Sequence, residues 1–409
     1  MTQKIIWLIN QYASTPQTGM GGRHYYLARE LAKQGHKVYL IAASYTHLLR
    51  HPPSVEQPYE NHSVEGFNLI WIKMPDYAEA HSKKRIFNWF SFAWKLRGLK
   101  GFVPDSPDTI LYSSPSLVGF LGAKYLARHY SARLAFEVRD IWPLTLVELG
   151  GYSSRHLFVR FLQWIEDKAY RDADVVISNL KKSVDHMVVR GMPLHKFFWI
   201  PNGVSVDEVA YARPLSSVVQ EQIPQNKFIV GYAGTLGLAN AMNVFVEAAE
   251  ILKAVEEIAF VIVGDGKERQ SLQALMHKKN IGNLHFIDPV SKPEVQSMLA
   301  LFDVCYLGWN NDALYRFGIA PNKIPEYLYS GRPILHSFSG ECDSVVEAKA
   351  GLTVQAENSQ AVAEAVMKLY RMSASERETL GSNGRRYVLE HHEYGNLAKK
   401  LTQALLGDK

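Results

Sequence analysis

Short apolar runs recur along the chain, bounded by glycine, proline or polar residues and alternating with stretches of helical periodicity. Runs without polar alternation describe strands buried on both faces, as in parallel sheets covered by helices. In the first half, Ile5–Ile9, Val38–Ala42, Phe67–Ile72, Thr109–Tyr112, Arg133–Val138 and Asp174–Ile177 are predicted strands. A helix is predicted from about Arg23, with Tyr26, Leu27, Ala28 and Leu31 on its buried face and Gly35 as its stop, and another over Leu157–Tyr170. This block closes on the short strand and turn Trp199–Val204. Residues 205–226 are polar and weakly patterned, which predicts a linker. The second block runs through strands Phe228–Ala233, Ala259–Val263, Leu284–Ile287, Val304–Leu307, Pro333–Leu335 and Leu352–Val354, with helices Met242–Val255 and Lys267–Lys279, and ends in the helical stretch Gln360–Leu406. The expected fold class is therefore α/β: two doubly wound, Rossmann-like domains over 1–204 and 227–390, and a C-terminal helix over 391–409 able to cross back to the first domain. Ligands of such sheets bind outside the carboxyl ends of the strands, so the site is expected in a cleft that the two domains face.

Composition narrows the class. Of 409 residues, 47% are hydrophobic and 21% charged, which excludes wholesale disorder. Two cysteines, Cys305 and Cys342, exclude a disulfide framework and show no zinc-ligand spacing. The N-terminus lacks a signal-peptide pattern and no run of about 18 apolar residues occurs, so a cytoplasmic protein is expected, soluble or peripherally attached to a membrane. The charge is uneven. Residues 1–205 hold 25 Lys/Arg against 16 Asp/Glu, and the remainder 20 against 24, which points the first half toward an anionic partner.

Several motifs bear on chemistry. Gly19-Met20-Gly21-Gly22-Arg23-His24 opens the first helix, but His24 stands where a dinucleotide fingerprint requires glycine. Gly21, Gly22 and Arg23 remain candidates for an anion-binding or acceptor loop, against the simpler role of a tight turn. Asp172-Ala173-Asp174 has the form of a metal-binding D-x-D, yet it joins a helix to a strand, and no metal or cofactor is expected. The segment Tyr315–Pro333 is more informative. Its loop, with Gly318 and Pro321, delivers the chain into a short helix ended by Gly331, so that free N–H groups and the charge of Lys323 can meet a diphosphate. Glu326 lies on the same helix face, where a carboxylate can accept from a ribose diol. Viewed alone, a Lys and a Glu on a helix's first turn, such as Lys323 and Glu326, are more often a solvated pair.

The run Phe317-Gly318-Ile319-Ala320-Pro321-Asn322-Lys323-Ile324-Pro325-Glu326-Tyr327 resembles the donor-binding segment of retaining glycosyltransferases of family 4 with the GT-B fold. Ser113-Ser114-Pro115, Phe136–Pro143, Ile200–Val204, Gly234-Thr235-Leu236-Gly237 and Val263-Gly264-Asp265-Gly266 agree in order and spacing. Arg139-Asp140-Ile141-Trp142-Pro143 is similar to the subgroup that includes N-acetyl-L-fucosamine transferases of O-antigen and capsule synthesis. The resemblance implies a sugar, N-acetylated and carried by UDP, moved onto a lipid-linked saccharide. It assigns Glu326 to the ribose, and Gly234, Gly237, Gly264, Gly266, Arg316, Gly318, Ile319, Ala320, Asn322 and Lys323 to the donor. The family's first glutamate of the pair is replaced by Gly318, for which backbone N–H groups of 318–320 are the expected substitute. Its diphosphate-binding Arg and Lys are replaced by Leu238 and Ala239, leaving Lys323, with Arg316, to fill that role. Arg139 takes the approximate place of the family's histidine, and Asp140 is the candidate to orient or deprotonate the acceptor, its alternative being a capped turn. A UDP-sugar 2-epimerase and a catalytically silent sugar-nucleotide-binding protein are the competing readings.

The surplus charge is concentrated in His81–Pro104, which holds six Lys/Arg, six Phe/Trp and no acid. As a helix it places Ile86, Trp89, Phe90, Ala93 and Leu96 on an apolar face and leaves Phe87 and Trp94 off it. Lys83, Lys84, Arg85, Trp89, Trp94, Lys95 and Arg97 are expected to dock on the inner face of the cytoplasmic membrane, against the alternative of a helix packed in the core. No nucleic-acid module is present, and nucleic acid is not an expected partner.

Overall fold

The structure, a computed structural model, describes residues 2–19, 21–77 and 83–407. Its Cα positions form two compact units, one running through Pro201 together with the chain from Tyr394 on, the other Asn202–Glu393.

The first unit contains β1 (Ile5–Ile9), β2 (Lys37–Ala43), β3 (Tyr59–Val64), β4 (Phe67–Ile72), β5 (Thr109–Ser113), β6 (Arg133–Val138), β7 (Val175–Ser178) and β8 (Phe197–Trp199). They form one sheet in the order β3-β4-β2-β1-β5-β6-β7-β8. All neighbours are parallel except β3, which pairs antiparallel with β4 through Tyr59↔Ile72 to Val64↔Phe67. β3 has no apolar run to announce it, because it is an edge strand whose side chains stay in water. The interior strands are buried almost throughout, as continuous apolar runs require. Helix Tyr394–Leu406 packs Leu397, Leu401 and Leu405 into the same core as Leu8, Leu27 and Leu31. Tyr394 stacks on Tyr26 at 4.8 Å, so the last helix completes the first unit's cover.

The second unit holds β9 (Phe228–Ala233), β10 (Ile258–Val263), β11 (Leu284–Ile287), β12 (Val304–Gly308), β13 (Ile334–Ser337) and β14 (Gly351–Val354), ordered β11-β10-β9-β12-β13-β14 and all parallel. The expected linker is folded onto this unit. Leu215 and Ile223 are buried beside Ile229 and Phe302, and Arg213 N–H donates to the Pro293 carbonyl at 2.9 Å. Two apolar residues in a polar stretch were too sparse a signal to predict that packing.

Strand order fixes where ligands can approach. In the first unit the chain reverses between β1 and β5, and in the second between β9 and β12. Loops leaving those strands splay apart and open a crevice at the carboxyl edge. Gly21 and Gly22 lie in the loop after β1, Gly234 and Gly237 in the loop after β9 and Gly318 in the loop after β12, whereas Arg139 and Asp140 follow β6 and Gly264 and Gly266 follow β10.

Candidate functional site

In the second unit the decisive side chain is Lys323, at the start of helix Lys323–Tyr329. Its ammonium donates to the Tyr232 hydroxyl and, at 3.2 Å, to Asn240 Oδ1, and it lies 4.5 Å from the centre of the Tyr232 ring. Tyr232 in turn donates to the Thr235 carbonyl at 2.6 Å. One cation therefore sits at the β9 loop, within the turn Gly234–Gly237. Burial lowers Lys323 to about 8, with Glu326 opposing the shift. Glycine at 234 leaves room for this placement of Lys323, since a Cβ there would lie 2.5 Å from Lys323 Cε and the side chain would have to shift.

Gly264 and Gly266 have a different reason. A Cβ on Gly264 would lie 2.0 Å from the Gly234 carbonyl oxygen, and one on Gly266 would lie 2.2 Å from that of Leu236. These glycines let the β9 and β10 loops touch backbone to backbone, and Leu236 N–H donates to the Asp265 carbonyl at 2.9 Å. Arg269, which sequence reasoning passed over, ties the same turn to Gly264 O at 2.5 Å and to Asp288 at 2.8 Å.

Gly318 adopts φ +89°, a conformation that favours glycine over any residue with a side chain. Its N–H is already committed to the Tyr315 carbonyl at 3.0 Å, so it is not a free donor. The N–H groups of Ile319 and Ala320 have no acceptor among the described residues. Asn202 braces this loop, donating to Ala320 O at 2.6 Å and to Asn322 Oδ1 at 3.2 Å, while its own Oδ1 is buried with no partner. Arg316 does not join Lys323. It donates to Ala313 O at 2.5 Å and lies over the Phe317 ring. Glu326 is held by an ion pair with Lys292, a partner 34 positions away that no local pattern reveals.

In the first unit, β6 delivers Glu137, Arg139 and Asp140 to the carboxyl edge. The Glu137 side chain is fully buried. It accepts from Arg23 Nε at 2.7 Å, His24 Nε2 at 2.6 Å and Ser113 Oγ at 2.6 Å. Burial alone would raise the Glu137 carboxyl, but Arg23, His24 and Ser113 override it and hold the group well below the ordinary value. A carboxylate can only accept, so His24 carries its hydrogen on Nε2. Burial lowers His24 and outweighs the pull of Glu137. This network was not predicted. The Arg23 guanidinium, expected at an anion-binding loop, is turned inward, where it also donates to the Pro201 carbonyl. Gly21 and Gly22 do take positive φ, 69° and 113°, at the start of helix Arg23–Lys33; Met20 between the glycines lies outside the described residues. Arg139 N–H donates to Ser114 Oγ at 2.9 Å, and Asp140 is exposed just beyond the strand.

The basic, aromatic segment forms helix Lys83–Lys95. Residues 78–82, with His81, and the Lys83 side chain lie outside the described residues. Its inward face is Asn88, Trp89, Phe92 and Leu96, not the expected Ile86–Trp89–Phe90–Ala93–Leu96 stripe; Phe90 is 44% exposed. Trp89 is thus no docking residue. Its Nε1 donates to Tyr12 OH at 2.7 Å. Arg85 is likewise turned to Tyr12, at 3.2 Å, and the Lys95 ammonium is held by the Lys73 carbonyl. Phe87 and Trp94 are exposed as expected, Lys84 is exposed, and Arg97 lies 4.5 Å over Trp94.

Comparison with known proteins decides the class. Residues 18–208 match Glycosyltransferase Family 4, and residues 217–387 match Glycosyl transferases group 1. The chain is a glycosyltransferase of this two-domain kind. It is 25% identical over 311 residues to WcaI, named as a colanic acid biosynthesis glycosyl transferase of Escherichia coli (strain K12), covering 71% of this chain and 72% of that protein. It is 26% identical over 186 residues to a GDP-mannose-dependent alpha-mannosyltransferase of Mycobacterium tuberculosis (strain CDC 1551 / Oshkosh), 44% of each chain. The fold is GT-B, shared with Anabaena Alr3699/HepE in complex with UDP and glucose at a TM-score of 0.66, 15% identity, and 98% and 99% coverage of the two chains.

Proposed function

We propose that this glycosyltransferase moves a sugar, N-acetylated and activated by UDP, onto a lipid-linked saccharide during assembly of a bacterial surface polysaccharide, with retention of anomeric configuration. The observation that carries the donor half is Lys323, a half-buried ammonium held at the β9 turn. Departure of a nucleoside diphosphate leaves negative charge on its oxygens, and a fixed cation in a poorly hydrated place stabilises that charge without reorganising. Ile319 and Ala320 N–H add neutral donors, and Glu326, oriented by Lys292, accepts from the ribose. Arg139 and Asp140, just beyond β6, are assigned to the reacting sugar and the acceptor hydroxyl. In a retaining reaction the hydroxyl approaches from the leaving-group side, so its proton can pass to the departing phosphate oxygen, and Asp140 orients rather than deprotonates. The colanic acid relative supports the polysaccharide setting, and the UDP-bound fold relative supports the nucleotide.

For the partner membrane, the exposed Phe87 and Trp94 with Lys84 and Arg97 support peripheral docking at the inner face of the cytoplasmic membrane. No helix among the described residues is long and apolar enough to cross it. The test is a screen of UDP- and GDP-sugars with lipid-linked acceptor, read by nucleoside diphosphate release and by NMR of the product anomer. UDP release that depends on both acceptor and Lys323 is expected. Turnover with GDP-sugars alone would overturn the nucleotide, and an inverted anomer would overturn retention.

A further inference from the structure

Helix Lys83–Lys95 carries two apolar stripes on opposite sides. Trp89, Phe92 and Leu96 face inward, whereas Phe87, Phe90 and Trp94, spaced three and four residues apart, form an outward row exposed to 66%, 44% and 68%. Nothing in a core accounts for the outer row, and it does not stop at this helix. Phe90 stacks on Phe161 of helix Leu157–Asp172 at 5.9 Å, and Phe161 stacks on Trp164 at 6.2 Å. Trp164 is 51% exposed and Leu157, on the same side one turn before Phe161, is 80% exposed. The result is an aromatic ledge two helices wide. Against Trp164 opens a pocket of about 410 Å³ lined by apolar Pro143, Leu144 and Val147 and by charged Arg160, Asp167 and Arg190.

The charges around the ledge are sorted by sign. Helix Lys83–Lys95 has no acid. Each acid of helix Leu157–Asp172 is engaged within the unit: Glu166 by Tyr170 and His186, Asp167 by Arg190, and Asp172 by Lys124 and Lys168. Arg160, exposed beside the cavity, has no side-chain partner among the described residues, and Lys168 lies 5.8 Å over the Trp164 ring. Exposed aromatics rimmed by cations suit a bilayer interface with anionic headgroups, where rings sit at headgroup depth and cations meet phosphate. With three bases matched to three acids on helix Leu157–Asp172 and no acid on helix Lys83–Lys95, the two helices together are net positive, which favours an anionic partner.

We infer that helix Leu157–Asp172, through Phe161, Trp164 and Arg160, is the second half of a docking surface for an anionic lipid bilayer, continuous with the outward row of helix Lys83–Lys95. This rests on the membrane reading given above and extends it to an element whose three basic residues are matched by three acids, so that its sequence shows no cationic excess.

The test uses the full chain with vesicles of phosphatidylcholine alone and with about 30% phosphatidylglycerol. Wild type is expected to bind the anionic vesicles. Phe161→Ala with Trp164→Ala is expected to lower the bound fraction about tenfold, as loss of interfacial ring area does, and Phe87→Ala with Trp94→Ala to do the same. Arg160→Glu, which leaves the rings in place, is expected to lose binding to the anionic vesicles and to melt like wild type. If the Phe161/Trp164 pair and Arg160→Glu bind as wild type while the Phe87/Trp94 pair does not, the inference fails and docking through the first helix stands. If wild type binds neither vesicle, both readings fail. If wild type sediments as a dimer without vesicles and Trp164→Ala abolishes it, the ledge joins two copies of this chain and the bilayer assignment is overturned.

Discussion

Lys323 is costly to keep charged, and that cost can be measured apart from activity. Its ordinary value of 10.5 falls to about 8 in the folded chain because burial strips water from the ammonium. A difference of this size corresponds to about 3 kcal/mol of destabilisation while the group is protonated. Lys323→Met keeps the aliphatic length and removes the charge, with loss of the bonds to Tyr232 and Asn240 offsetting the gain by about 1 kcal/mol each. The variant is therefore expected to be more stable than wild type by about 1 kcal/mol at pH 7. The sign with pH is fixed. Between about 8 and 10.5 the unfolded chain holds the proton that the folded chain has released, so wild-type stability rises with pH there. The gap to Lys323→Met must close and reverse across that window. Urea unfolding of both proteins from pH 7 to 10.5, followed by far-UV circular dichroism, reads the gap. In parallel, UDP affinity by calorimetry is expected to fall about 100-fold in the variant, and wild-type affinity to decline as pH rises through 8. A gap that stays constant with pH would refute the burial argument; unchanged UDP affinity would refute the diphosphate role.

Gly234→Ala places a Cβ 2.5 Å from Lys323 Cε, the movable end of a side chain, so the fold should survive while UDP binding weakens about tenfold by calorimetry. Gly264→Ala, whose Cβ meets backbone at 2.0 Å, should instead lower stability by about 2 kcal/mol in urea. Glu137→Gln leaves Arg23 buried without its counter-charge, a loss of about 3–5 kcal/mol that should unfold the first unit at reduced urea. In wild type, His24 begins to lower stability as pH falls below 6.5, because only the unfolded chain takes up its proton, and Glu137 adds a further loss below 4.5; acid titration of the unfolding midpoint checks both windows. Glu326→Gln should weaken UDP more than its 2′-deoxy analogue, since only the full diol offers both hydroxyls; equal losses would remove Glu326 from the ribose.

Much of the donor half was legible because its signals are local. Apolar runs give parallel strands, glycines mark the turns that follow them, and the spacing from Gly318 to Glu326 lies within one loop and one helix. Local spacing does not reveal which contact each residue makes. Lys292 reaches Glu326 across 34 positions, and Gly318 spends its N–H on Tyr315, facts that follow from strand order and loop path. The acceptor half was less legible. Arg23 is written as a free cation at a glycine loop, yet a buried carboxylate delivered by β6, 114 positions later, draws it inward.

The basic, aromatic stretch makes the same point at a surface. Sequence by itself determined that 81–104 is cationic, aromatic and free of acids, because composition needs no coordinates. Packing alone decided that Trp89 and Phe92 face the core while Phe87, Phe90 and Trp94 face water, since a helix with apolar residues on both sides does not declare which side is buried. Only the tertiary structure brought Phe161 and Trp164 alongside that row, by stacking rings of two helices that the chain separates by two strands and three further α-helices.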